Sequence, residues 1–599
     1  MTDAQKRTLY WFGAIILLIG AVYCTTLTHS FVWDDNDIIV NNPLLENLAN
    51  IPKFFLTEDT IDEATGYYRP ITYISFALDR AIWGVNPVGF HLTNMLLHMA
   101  AVLIFYRTVA ALFNRERLAL IAALIFALHP LTVETVNFLS GGRNTLLSAC
   151  FGLLSLLCHI RNRRLLAVAC FALAIFSKEF ALLLPLIFLL YDLRLRAEKH
   201  RYLTYIPYAV AVALYLTLRS LAVQQANFLS AFNVFHTLAA PYLVARYALN
   251  MIIPTHLQVM YDIHPRLPIL LVGMVAGALV LSAVYRFRKH TEIFISLCWF
   301  FLFLLPIINI IPINSASLMA DRYAYFSLMG FAVFLAALIC MANLRVSTVC
   351  VAIVIVVYAG IDISRNRIWK DEVAFYTRMT DDAPRKFIGP RNLGLYYYRN
   401  GDIERAVSNL EAADYRPDMT VKYMMGDVYI FWKENRLEKA EKLLLRAVEE
   451  NPANPEPYLL LMMIADQKGN ARLAASYRDK LTAMGLNIEQ ILADRAFELC
   501  RTGENFLAKR HFVSAEICLW QALRITPSFI PALIDMGSLR AQQDNLPQAI
   551  QFFSKVLALD PSNATARNNL TMVYQMQGKS AAARQEMGIQ QKKGGLAPP

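Results

Sequence analysis

Apolar segments long enough to cross a bilayer recur from residue 9 to about residue 363, separated by short basic clusters. No other feature constrains the fold as strongly. A chain crossing hydrocarbon must satisfy its backbone hydrogen bonds internally, so repeated apolar segments of this kind dictate helices. The segments are roughly 9–28, 91–112, 117–133, 145–160, 164–178, 180–193, 203–222, 267–285, 292–311, 323–341 and 347–363, about eleven spans. The first follows Lys6 and Arg7 without a small-x-small cleavage site, so it reads as a retained signal anchor. Charged residues make up 17% of the chain, against about 25% in soluble proteins. The net charge of +11 lies in clusters between apolar segments, which excludes a nucleic-acid binder and marks cytoplasmic loops. Nine scattered Cys, with no Cys-x-x-Cys pair, indicate neither a disulfide framework nor a zinc site.

Orientation follows from Lys and Arg. Lys6/Arg7, Arg115/Arg117, Arg161/Arg163/Arg164, Arg194/Arg196/Lys199/Arg201 and Arg286/Arg288/Lys289 belong inside. All fit if the stretch from Phe235 to Pro254, with His236, Pro241, Arg246 and Asn250, is re-entrant or interfacial rather than a span. The N-terminus is then cytoplasmic and the C-terminal region lies outside.

That region reads as tetratricopeptide (TPR) repeats, helical hairpins of 34 residues in which a small residue lets the two helices approach. Ala406, Ala440 and Ala474 are spaced by 34, as are Ala515, Ala549 and Ala583. The 41-residue step from Ala474 to Ala515 implies an insertion of seven. The expected organisation is a membrane domain over 1–365, a linker over 366–385 and about six repeats over 386–590. Such arrays present a concave surface for an extended peptide; bracing of the membrane domain or of a dimer is the alternative.

Chemistry-bearing residues gather in the loops assigned to the outer face. The loop from His29 to Phe90 opens with Trp33-Asp34-Asp35-Asn36-Asp37. Paired carboxylates in a partly dry site raise each other's pKa, which suits a general base; an acidic patch capping the span is the plain alternative. Polar residues at membrane depth or the outer edge are His91, His98, His129, Glu134, Arg143, Lys178, Glu179, Asp321, Arg322 and Tyr323. Arg69, Arg143, Lys178 and Arg322 stand against the positive-inside bias, one per loop, so their convergence would make a site for an anionic lipid headgroup such as a phosphate. Lys178-Glu179 and Asp321-Arg322 could equally be local ion pairs.

The ordered series Phe-x-Trp-Asp-Asp, Tyr-Arg-Pro, Trp-Gly-x-Asn-Pro-x-x-Phe-His-x-x-Asn-x-x-x-His, His-Pro-x-x-x-Glu, Ser-Lys-Glu and Asp-Arg-Tyr-x-Tyr, followed by repeats, resembles the transmembrane and TPR-repeat protein O-mannosyltransferases. The resemblance implies an all-α, polytopic membrane domain of the GT-C glycosyltransferase class followed by a TPR α-solenoid. It implies a polyprenyl- or dolichyl-phosphate sugar as donor and a protein acceptor meeting the repeat array. It implies Asp34 and Asp35 as catalytic carboxylates, with Arg69, Arg143, Lys178 and Arg322 on the donor phosphate. Asp37, His91, His98, His129, Glu134, Glu179 and Tyr323 would be supporting polar groups. No metal or other cofactor is expected, a divalent ion being left open. The site and the repeats would lie outside the cytoplasm, at the inner membrane of a bacterium or in the endoplasmic reticulum of a eukaryote. Two other readings fit parts of the chain: the same chemistry on a lipid or surface glycan, and a membrane-anchored TPR scaffold, which needs one span rather than about eleven.

Overall fold

The computed structural model describes residues 3–56, 67–196, 202–222, 234–263, 285–308, 317–414, 419 and 421–578, with a few positions between 264 and 284. Helices account for its regular structure, and no strand occurs among the described residues. The chain forms two compact units, Met1–Pro384 and Arg385–Pro599.

Among the described residues of the first unit, six helices are long and apolar enough to cross a membrane. They are Lys6–Thr28, Pro87–Phe113, Leu139–Ile160, Tyr202–Ala222, Asp321–Cys340 and Leu344–Trp369. This corrects the count of eleven by helix length. Arg164–Ser177 and Thr291–Ile307 are apolar but shorter. The stretch 117–133 is broken at His129-Pro130, giving helices Glu116–Leu128 and Thr132–Asn137. That break is expected, because proline cannot donate to the helical ladder and disfavours helix in the residue before it. Residues 180–193 divide between a 3-10 turn and the helix Leu184–Arg194. Residues 267–285 fall mostly outside the described part. Val234–Ile252, expected to be re-entrant or interfacial, is a 19-residue helix containing Pro241 and is not among the six.

The spans are not equivalent. In their most apolar 18-residue stretch, 83% of residues are buried in Leu139–Ile160 and 72% in Asp321–Cys340, against 17% in Leu344–Trp369. The two inner helices carry Arg143 and Arg322 at their starts. A buried cation must be matched by acceptors or it costs several kcal/mol, so the surroundings of these two residues organise the unit. Residues 366–385 contain a short turn and the helix Glu372–Asp382, whose Phe375 and Tyr376 are buried with Trp369.

The second unit is a run of helical hairpins. The second helices start at Ile403, Leu437, Ala471, Phe512 and Leu546, and each carries its alanine at the fourth position. Ala406, Ala440, Ala515 and Ala549 are fully buried and Ala474 nearly so. Ala583 lies outside the described residues. The seven-residue insertion lengthens one helix: Ile488–Ala508 has 21 residues where its neighbours have 12 to 14. Beyond it the chain turns back on itself. Val421–Lys433, first helix of the second hairpin, packs against Phe512–Ile525, second helix of the fourth. Trp432 meets Trp520 edge-on at 5.7 Å, Arg524 lies over both rings, and Lys433 pairs with Glu516. A plain solenoid contacts only its sequence neighbours, so this contact makes the array partly self-closed.

Candidate functional site

The loop that follows the first span is shaped by a strained residue. Trp33 has φ +54°, a left-handed conformation rare outside glycine. Stacking of its ring on Phe138, at 5.5 Å and nearly parallel, and its contact with Phe375 hold it there. The next two carboxylates differ in burial. Asp35 is fully buried, accepting from the backbone N–H of Ser140 at 2.7 Å and of Val32 at 3.2 Å. It thereby caps the N-terminus of Leu139–Ile160 from outside that helix, satisfying one of its orphan donors. Burial pushes its carboxyl up to about 6, against the opposing hydrogen bonds from Ser140, Val32 and Leu139. Asp34 stays partly exposed and lies within electrostatic reach of Arg322. Asp37 is exposed on the following turn.

Arg322 is held by Glu134, which accepts from its guanidinium and, at 3.1 Å, from its backbone N–H. Its guanidinium also lies over Phe138 and Tyr323. On the adjoining side Arg69 donates twice to Glu179, at 3.0 and 2.5 Å, and lies 3.9 Å over the Tyr67 ring. Although burial alone would raise it, Arg69 holds the Glu179 carboxyl down at about 2. Lys178 is buried, donates to Thr145 Oγ1 at 2.6 Å, and faces the Phe180 and Tyr323 rings. Burial first, then the neighbouring Arg69, pulls its ammonium well below the usual lysine range.

Neither sequence-adjacent ion pair forms. Glu179 pairs with Arg69 rather than Lys178, and Asp321 with Arg365 rather than Arg322. The fields of Arg69, Lys178, Glu179, Arg322 and Glu134 overlap, and Tyr67 and Tyr323 share them. Three of the four expected cations, the supporting Glu134, Glu179 and Tyr323, and Asp34 therefore occupy one neighbourhood.

Arg143 stands apart. It is fully buried behind Asp35, its charge matched by Asp79 at 2.7 Å. It also donates to Asn94, to Phe90 O at 3.0 Å and to Ser75 at 3.3 Å. Gly142 beside it permits this packing, since a Cβ there would lie 1.9 Å from Thr135 O. Two of the histidines, His98 and His129, are tethers. His98 bridges Tyr325 OH and Ala127 O, at 2.8 and 3.0 Å. His129 bonds Met251 O at 2.9 Å and accepts from Leu131 N–H. His91 stacks edge-on against His29, which bonds Asn137 at 3.0 Å. Sequence reasoning missed Asp79, Arg365 and Tyr261, whose hydroxyl donates to Asp321 Oδ1 at 2.6 Å. Asp79 could have been found as a lone acid on an apolar helix; Arg365, near the end of a span, carried no such signal. Among the described residues, no group of three His, Cys, Asp or Glu gathers to hold a metal ion.

Fold and site together define a polytopic helical membrane protein with a tetratricopeptide array and a carboxylate–cation cluster. Residues 70–223 match the family model for dolichyl-phosphate-mannose-protein mannosyltransferase, and residues 391–455 and 552–585 match tetratricopeptide repeat models. Protein O-mannosyl-transferase TMTC3 of Mus musculus is 24% identical, over 94% of this chain and 65% of its own length. TMTC2 of Mus musculus is 36% identical over 24% of this chain and 18% of its own length. Protein O-mannosyl-transferase F38B6.6 of Caenorhabditis elegans is 30% identical over 24% of this chain and 22% of its own length. The chain resembles these transferases and spans 65% of the TMTC3 relative and about a fifth of the other two. The crystal structure of yeast Tom70 is 12% identical over 82% of this chain and 96% of that one, with a TM-score of 0.18, too loose a likeness to carry an argument.

Proposed function

We propose that this protein transfers mannose from a dolichyl- or polyprenyl-phosphate donor to hydroxyl groups of protein acceptors, on the non-cytoplasmic face of its membrane. The observation that carries this reading is the division of labour at the first loop. Asp34 is partly exposed and lies within electrostatic reach of Arg322, while Asp35 is spent on capping the helix that starts at Leu139. Asp34 accepts the proton of a serine or threonine hydroxyl as that oxygen attacks the anomeric carbon. The new C–O bond forms as the bond to the lipid phosphate oxygen breaks, and the configuration inverts. The electron pair leaves with the phosphate, where Arg322, Arg69 and Lys178 offset the developing charge. Glu134 and Glu179 keep the two arginines aimed. Arg143 and Asp35 support the site from behind rather than touching substrate.

The family match over residues 70–223 supports the donor class, and the basic clusters support the orientation. The repeat array is the acceptor-binding arm in this reading. Purified protein supplied with dolichyl-phosphate mannose and serine- and threonine-rich peptides should label the peptides, and Asp34→Asn should abolish labelling. Deleting residues from 385 onward should impair protein acceptors more than short peptides. Labelling of glycan or lipid alone would overturn the protein-acceptor reading.

A further inference from the structure

The last span carries a recess that the transfer site does not use. A cavity of about 480 Å³ opens along Leu344–Trp369, a size typical of ligand sites. Its lower wall is apolar and faces outward, Val356 being 72% and Val357 50% exposed. Gly360 forms part of the wall, and a Cβ built on it meets nothing within 4 Å, so the recess is open there. The upper end is polar, closed by Ser364, Arg365 and Arg378. Arg365 is more than nine-tenths buried and gives one N–H to Asp321 at 2.8 Å. Its buried Nε–H has no hydrogen-bond partner among the described residues. A buried guanidinium N–H left unpaired costs free energy that an acceptor oxygen would recover. Arg378 pairs with Asp382 through Nε at 2.9 Å and remains 44% exposed, so part of its fork is open to a second acceptor.

We propose that this recess binds one anionic phospholipid of the surrounding bilayer, acyl chain along Val356, Val357 and Gly360, phosphate at Arg365 and Arg378. Three features select that occupant. The apolar wall lies on the least buried span, where lipid is the solvent. The arginines stand where that span ends, the depth at which headgroups sit. Their forks match phosphate oxygens, whose charge in phosphatidylcholine is offset by its own choline cation and in an anionic phospholipid is not. None of the residues lining the recess belongs to the Asp34 cluster, so the proposal holds whether or not the transfer reading does.

The test is native mass spectrometry of the full-length protein released from micelles containing dioleoyl phosphatidylglycerol or dioleoyl phosphatidylcholine. Wild type should retain one phosphatidylglycerol and markedly less phosphatidylcholine. Gly360→Trp fills the recess without meeting another atom at its Cβ, and Arg378→Gln removes one cation. Each should lower phosphatidylglycerol retention by about fivefold or more, as expected for loss of one arginine–phosphate attraction or of the chain's seat. Either variant alone suffices if the other melts early or elutes as aggregate. Equal retention of the two lipids, no retention by wild type, or undiminished retention by a folded variant would overturn the proposal. So would displacement of phosphatidylglycerol by a much lower concentration of undecaprenyl phosphate, which would assign the recess to a polyprenyl lipid instead.

Discussion

The carboxylate of Asp35 accepts the backbone N–H of Ser140 at 2.7 Å, so an acid of the loop after the first span caps the buried helix that carries Arg143. The adjacent acid, Asp34, is half-buried and lies within electrostatic reach of Arg322. Two neighbouring carboxylates thus have separate duties, and substitutions should separate them.

Asp34→Asn should reduce transfer by at least about a hundredfold, the usual scale for losing a general base. Its melting temperature should stay within about 2 °C of wild type, as for a surface substitution. Asp35→Ala should instead destabilise the protein by about 1.5–3 kcal/mol, through two lost hydrogen bonds to a buried carboxyl. Parallel thermal melts and transfer assays in detergent distinguish the two.

The buried Asp35 also predicts a pH dependence. Its carboxyl rises from the ordinary 3.8 to about 6 on folding, so the folded state binds its proton more tightly than the unfolded state. That stabilisation is complete below about pH 4 and is lost as pH rises through 6. Its size is on the order of 3 kcal/mol at 1.36 kcal/mol per pH unit. Glu179 runs the opposite way: held down at about 2, it contributes above its ordinary 4.5 and loses that as pH falls toward 2. Between pH 4 and 7, wild type should therefore lose stability relative to Asp35→Asn as pH rises. Melts at half-unit steps check the slope.

Glu179→Gln removes the carboxylate that aims Arg69. If Arg69 binds the donor phosphate, the donor KM should rise about tenfold with kcat within about threefold of wild type. Equal loss in kcat would place Arg69 in the transition state alone.

Trp520→Ala should open the self-contact of the repeat array. The cost should be roughly 2 kcal/mol, below the ~3–5 kcal/mol of a fully buried tryptophan. Amide hydrogen exchange should rise in Val421–Lys433, which packs against the Trp520 helix, while Ala564–Met576 stays unchanged.

Much of this was legible in residues alone, for physical reasons. The alanine series marks the hairpins because close helix contact tolerates no larger side chain, and the buried Ala406, Ala440, Ala515 and Ala549 bear that out. The 41-residue step announced an insertion but not its consequence, because the Trp432–Trp520 contact joins non-neighbouring repeats and has no period. Apolar stretches were readable, yet their lengths were not. His129-Pro130 cuts a helix that composition alone would run on. Charge against the positive-inside bias picked out Arg69, Lys178 and Arg322 but could not separate them from Arg143. Which cation is neutralised by Asp79 depends on the tertiary approach of the helix Pro70–Trp83, not on spacing.

The central claim is that Asp34 is the base of a lipid-phosphate mannosyl transfer. The most direct measurement follows radiolabelled mannose from dolichyl-phosphate mannose into a threonine-containing peptide, using purified wild type and Asp34→Asn with matched melting curves. The account predicts labelled peptide with wild type and none above background with the variant. Equal labelling by the two proteins would contradict it.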